Sequence, residues 1–216
     1  MHNAPKEAKG LLLATMEPPP AIEEEFQDWY DTEHFPERQG VEGFETAGRF
    51  VCVDGWPRYL AAYDLAHLDV LQGPGYAAVA GARYSAWTHR IMGKVWGQYR
   101  AAGTQIYPGS ALFGDQGACA RLVVWRFRQV PPPLEALIVK GMRAIYEDQP
   151  ETAQLRVFSA VQPDGVDCLA LVELRAARVA APVDLSLLGA AARHVDAVNV
   201  YTAYRRQAAG AFPRTN

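Results

Sequence analysis

The chain is 216 residues long, half of them apolar and 21% charged, with a formal net charge of -3; that length holds one sizeable domain or two small ones. The absence of a Lys/Arg run argues against a nucleic-acid partner. The three scattered cysteines (Cys52, Cys119, Cys168) and five scattered histidines (His2, His34, His67, His89, His194) argue against a preformed metal site, and the apolar run 11–13 is too short for a leader or a membrane span. The expected protein is cytoplasmic and free of membrane.

In chain order, residues 9–16 read as an apolar strand stopped by Pro18, Pro19 and Pro20, with a helix expected over 21–35. Strands follow at 44–53 and 58–65 around the turn Asp54-Gly55-Trp56-Pro57. A helical region over 69–87 is interrupted by Gly73-Pro74-Gly75, and a fourth strand is expected over 91–100. The order then repeats: strand 121–128, a second Pro triplet, helix 134–147, strands 155–161 and 168–174 around Pro163-Asp164-Gly165, helix 182–193, and strand 197–204. Each half is thus β-α-β-β-α-β, the ferredoxin-like order. The predicted class is α+β, with a first half over 1–102, a Gly-rich linker over 103–118, and a second half over 119–216. A half of this kind leaves one sheet face bare, so the two are expected to pack sheet to sheet around one cavity.

The most distinctive segment is Ile22-Glu-Glu-Glu-Phe26-Gln-Asp-Trp29-Tyr30-Asp-Thr-Glu33-His34-Phe35-Pro36. Ile22, Phe26 and Trp29 form a core stripe, and Tyr30 and His34, four apart, share the adjoining face. Pro36 is expected to end the helix, leaving His34 at a C-terminus where the dipole favours its protonated form.

This segment, followed by Val41-Glu42-Gly43-Phe44 and a strand bearing Arg49, resembles the EthD-like branch of the dimeric α+β-barrel superfamily over residues 9 to 100. The second half shares the element order but lacks the Trp-Tyr…Glu-His signature, like a degenerate copy that completes the barrel within one chain. The resemblance implies a cavity beside the sheets and, in many relatives, chemistry without metal or organic cofactor. It spans polyketide cyclisation, muconolactone-type isomerisation, cofactor-free oxygenation of aromatics and haem-dependent reactions, among which a fold does not choose. It also implies a possible homodimer.

His34 is the first candidate, as a base or acid beside a carbonyl, against the plainer role of closing a helix end. Tyr30 is the candidate hydrogen-bond donor, against that of a half-buried aromatic. For Arg49, alternation places the side chain opposite Phe44 and Phe50, where it binds a substrate anion or forms a rim salt bridge. Trp29, Arg58, Tyr59, Trp87 and His89 complete the candidate substrate-binding set, while Glu33 reads as solvated or helix-paired. Haem-binding relatives use a second-domain His as axial ligand, and His194 is a His of the second half, but nothing around it in the sequence supplies a recognisable haem pocket; a helix-terminal His is the plainer reading. No GxGxxG, GxxxxGK[ST] or GxSxG element occurs. The expected function is a cofactor-independent enzyme using acid–base chemistry (isomerase, cyclase, lyase or decarboxylase type) on an apolar carbonyl or phenolic compound. The alternatives are a cofactor-free monooxygenase and a non-catalytic protein that binds an aromatic metabolite.

Overall fold

The computed structural model describes residues 8–115, 118–177 and 183–206. Eight antiparallel strands form one closed barrel: β1 (Gly10–Glu17), β2 (Phe44–Asp54), β3 (Tyr59–Leu65), β4 (Trp96–Tyr107), β5 (Arg121–Phe127), β6 (Thr152–Gln162), β7 (Gly165–Leu174) and β8 (Val195–Ala203). Around the barrel the order is β1-β3-β2-β8-β5-β7-β6-β4. The neighbour order β4-β1-β3-β2 therefore recurs as β8-β5-β7-β6, and the seams β2–β8 and β4–β6 join the two runs.

The expected sheet-to-sheet packing takes the form of a closed barrel of the α+β type. Every described strand has two hydrogen-bonded neighbours, so no sheet edge is left free among the described residues. The barrel interior is a packed core, filled by Leu11, Leu13, Phe50, Leu60, Phe158, Leu171 and their neighbours. Strand alternation sends Leu12 and Met16 of β1 to the outer face, where they meet Phe26, Trp29 and Tyr63. A third core lies outside the other run of strands, where α5 (Pro132–Tyr146) lays Ile138 and Met142 over Trp125, Phe127 and Val172.

Several boundaries differ from expectation. Ile91 belongs to a helix, α4 (Ala86–Met92), whose N-cap Ser85 accepts from the Thr88 N–H; β4 begins only at Trp96. The expected linker is strand as far as Tyr107, because its small residues serve a close approach. A Cβ on Gly103 would lie 2.8 Å from the Ser159 carbonyl oxygen across the β4–β6 seam. The helix expected over 182–193 is a 3-10 segment, Leu185–His194, broken where Gly189 takes φ 53°; residue 182 lies outside the described residues. The interrupted region before α4 consists of short pieces, a 3-10 turn at Leu68–Gln72, α3 (Pro74–Ala77) and a 3-10 turn at Gly81–Arg83.

Candidate functional site

The site starts from a helix that does not stop where its proline suggests. α1 (Glu23–Trp29) passes into a π turn, Tyr30–His34, closed by the Phe35 N–H donating to the Tyr30 carbonyl oxygen, and continues as α2 (Phe35–Gln39). Proline removes one donor and crowds the carbonyl four residues back in a regular helix. The wider turn, with its i→i+5 bond, sits immediately before Pro36 and carries the chain past it. The expected helix end is thereby corrected, and four residues after His34 the same helix presents Arg38, buried to 2% exposure.

The π turn holds Tyr30 and His34 together. Their rings meet edge to face at 5.4 Å, and Trp29 stacks on His34 at 4.3 Å. Trp29 is locked in turn: its indole N–H donates to Thr88 Oγ1 at 2.9 Å, and Thr88 and Ser85 both donate to Glu33. Glu33 therefore pins α4 to the helix and does not orient the imidazole.

His34, Tyr30 and Arg38 face a pocket against the outer side of β1, β3 and β4. Leu12, Ala14 and Met16 form its floor, Tyr63 one wall, and Tyr76, Tyr84 and Met92 of the crossing segment its cover. It spans about 540 Å³ including its open mouth. Two polar groups of the lining residues have no hydrogen-bond partner among the described residues although both are buried: His34 Nδ1 and the Tyr63 hydroxyl. Such atoms carry a desolvation penalty that a ligand can remove. The Tyr30 hydroxyl is nearly as free, its one acceptor among the described residues being Met16 Sδ at 4.0 Å.

Burial, helped by the positive charges of Arg38 and Arg49, pushes the His34 pKa down to about 3. The dipole expectation is reversed: desolvation disfavours the imidazolium, and the helix end meant to favour it is absent. Burial likewise pushes the Tyr30 phenol up to about 12 and raises Tyr63 well above the ordinary value. The pocket thus presents a neutral imidazole and phenols that stay protonated.

The other expected residues fall outside this pocket. A β-bulge between Phe44 and Thr46 shifts the alternation of β2, so Arg49 shares the outer side with Phe44 and only Phe50 points inward. Its guanidinium is engaged by Asp31 and Gln27 and lies over the rings of Tyr30 (4.3 Å) and Tyr204 (4.2 Å), beside a separate, open cleft. Arg49 backs Tyr30 and is not placed to bind an anion in the pocket. Trp29 is fully buried behind His34. Arg58 pairs with Glu17 and Glu23, and Tyr59 donates to Glu23. Trp87 is half-buried in the outer core, and the exposed His89 touches the edge of Tyr84 at 5.9 Å. Sequence reasoning missed Arg38, Tyr63, Tyr76 and Tyr84. Arg38 was findable, being one helical step past His34 had the helix not been ended at Pro36.

His194 does not fit an axial haem ligand. Its Nδ1 lies 3.0 Å from the Arg128 carbonyl oxygen and its Nε2 accepts from Arg193 at 3.3 Å, so both ring nitrogens are taken.

No protein-family model and no curated protein matches the chain. Solved structures do. An anthrone oxidase-like protein superposes with a TM-score of 0.64 at 13% identity, covering 92% of each chain. A monooxygenase-like protein from Lactobacillus acidophilus NCFM gives 0.52 at 9% identity, over 92% of this chain and 94% of that one. A chlorite dismutase from Candidatus Nitrospira defluvii gives 0.50 at 12%, over 92% and 93%. The chain shares with these proteins a fold consistent with a dimeric α+β barrel. At these identities the likeness speaks for the fold alone.

Proposed function

We propose that this chain is an enzyme that moves a proton on a small phenolic or enolisable aromatic compound held against the outer face of the barrel. The observation that carries the reading is that His34 and Tyr63, each with a buried polar atom unpartnered among the described residues, both line one aromatic pocket. A neutral imidazole accepts a proton from a carbon next to a carbonyl, and the electron pair moves onto the carbonyl oxygen. Tyr30 and Tyr63, both kept protonated by burial, donate to that oxygen as its charge develops. Returning the proton to a different carbon gives an isomerisation or cyclisation. We also read the repeated strand order as two tandem ferredoxin-like halves, of the EthD-like kind, with the catalytic pocket in the first.

A second outcome for the same carbanion is attack on molecular oxygen, converting a methylene and O₂ into a carbonyl and water. An anthrone oxidase-like protein shares the fold, which suggests anthrone as the probe for this branch. Anthrone itself tests both. Under argon in D₂O, the acid–base reading expects protein-dependent deuterium exchange at the methylene, lost in His34→Ala and reduced in Tyr63→Phe. Admitting air then separates the branches: equimolar oxygen uptake with anthraquinone formation marks an oxygenase. Exchange and uptake that persist unchanged in His34→Ala would sink the assignment.

A further inference from the structure

Arg38 stands out among the charged groups of the protein. Its side chain is 2% exposed, yet among the described residues it makes no ion pair; its one hydrogen bond is from Nη1 to the Val79 carbonyl oxygen. A buried guanidinium cannot shed its proton to escape desolvation, so it ordinarily takes a carboxylate partner. The acids nearest along the helix are not that partner. Asp31 is paired with Arg49, Glu33 accepts from Ser85 and Thr88, and Glu37 forms no ion pair with it. Two rings hold the guanidinium in place instead, Tyr76 at 5.2 Å and Tyr84 at 5.9 Å from its central carbon. Tyr76 also accepts from the exposed Arg100 at 3.3 Å. The pocket lining therefore contains two arginines and, among the described residues, no acidic side chain.

The geometry points to an anionic aromatic ligand, a carboxylate, whose oxygens are received by Arg38 while its ring lies among Tyr30, Tyr63 and Tyr84. This rests on the proposed function and narrows its substrate class from any phenolic or enolisable compound to an aromatic acid. The counter-charge the fold leaves out is supplied by the ligand. Its arrival also offsets part of the positive field that, second to burial, disfavours charge on His34. The arrangement adds specificity: an uncharged analogue leaves the guanidinium uncompensated.

The test is binding of three matched probes, 2-naphthoate, 2-naphthamide and 2-naphthol, followed by calorimetry on the whole chain. The acid should bind at least about tenfold more tightly than the amide, the ratio expected for one charge-assisted hydrogen bond worth roughly 1.5 kcal/mol or more. Arg38→Met should abolish that preference and Arg38→Lys should restore part of it. The wild-type comparison stands even if the Met variant fails to fold. Equal binding of acid and amide overturns the proposal, as does binding of none of the probes. Preference for the naphthol, strengthening as pH approaches its ionisation, overturns the carboxylate in favour of a phenolate. The proposed function fails separately: acid preference with unchanged anthrone exchange in His34→Ala keeps the anion site and removes the acid–base role.

Discussion

At the residue scale, the decisive feature is a histidine kept from charging. In the unfolded chain His34 titrates near its ordinary value of 6.5, whereas in the fold burial and two nearby cations lower it to about 3. Between those values the unfolded state holds more protons, so the contribution of His34 to stability is complete above pH 6.5 and is lost progressively as pH falls toward 3. We expect the His34 ring to show neutral-imidazole nitrogen shifts down to about pH 4 by NMR. We expect His34→Gln to flatten the decline in urea stability between pH 6.5 and 4 relative to the wild type. A His34 midpoint near 6.5 would show that the imidazole is solvated. The role of Trp29 belongs at this scale as well. It stacks on His34 and is fixed through Thr88 to Glu33, so it acts on the chemistry by positioning.

Two irregular elements, the π turn Tyr30–His34 and the bulge in β2, decide which side chains reach the pocket. Deleting the exposed residue Thr32 would return the turn to α-helical winding and rotate His34 and Arg38 relative to Trp29. The expected result is a barrel that stays folded by circular dichroism, with anthrone exchange at background and naphthoate binding weakened about tenfold or more, as for loss of a charge-assisted contact. Retained exchange would mean that the turn does not position the site. The same two elements mark where the sequence was legible. The first three strands, the turn at Gly55 (φ 113°), the stripe of Phe26 and Trp29, and the pairing of Tyr30 with His34 follow from periodicity and turn chemistry, and the structure has them. Pro36 and Arg49 misled for one physical reason. Reading by period assumes unbroken 3.6 or 2.0 spacing, and a single inserted residue in the helix or strand resets the phase. Gly103 misled differently, since a small residue in a tight seam looks like one in a linker.

For the whole molecule, closure of the barrel creates an interior whose ends must be sealed, and one end is sealed by charge. Arg156 and Asp64 are both fully buried and 2.7 Å apart, with Glu173 3.5 Å from the same guanidinium. The segment after β4 caps this end: the Phe113 and Gly114 N–H groups donate to Asp64 and Glu173, and the Phe113 ring lies 3.9 Å from the Arg156 guanidinium. Thr46 and Gln154 donate to the same two carboxylates, so the cluster ties β2, β3, β6 and β7 together across the β2–β8 and β4–β6 seams. Arg156→Met keeps the bulk but strands two buried carboxylates, and should cost about 3–5 kcal/mol in urea unfolding, the range for breaking a buried pair. Adding Asp64→Asn and Glu173→Gln preserves the acceptors for Thr46, Phe113 and Gly114 while removing the stranded charge, and should recover more than half of that loss. Leucine at those positions should not, because it would orphan the backbone donors of the cap. If the triple variant is no more stable than Arg156→Met alone, the cluster holds the barrel end by shape and packing, and the charges are incidental to closure.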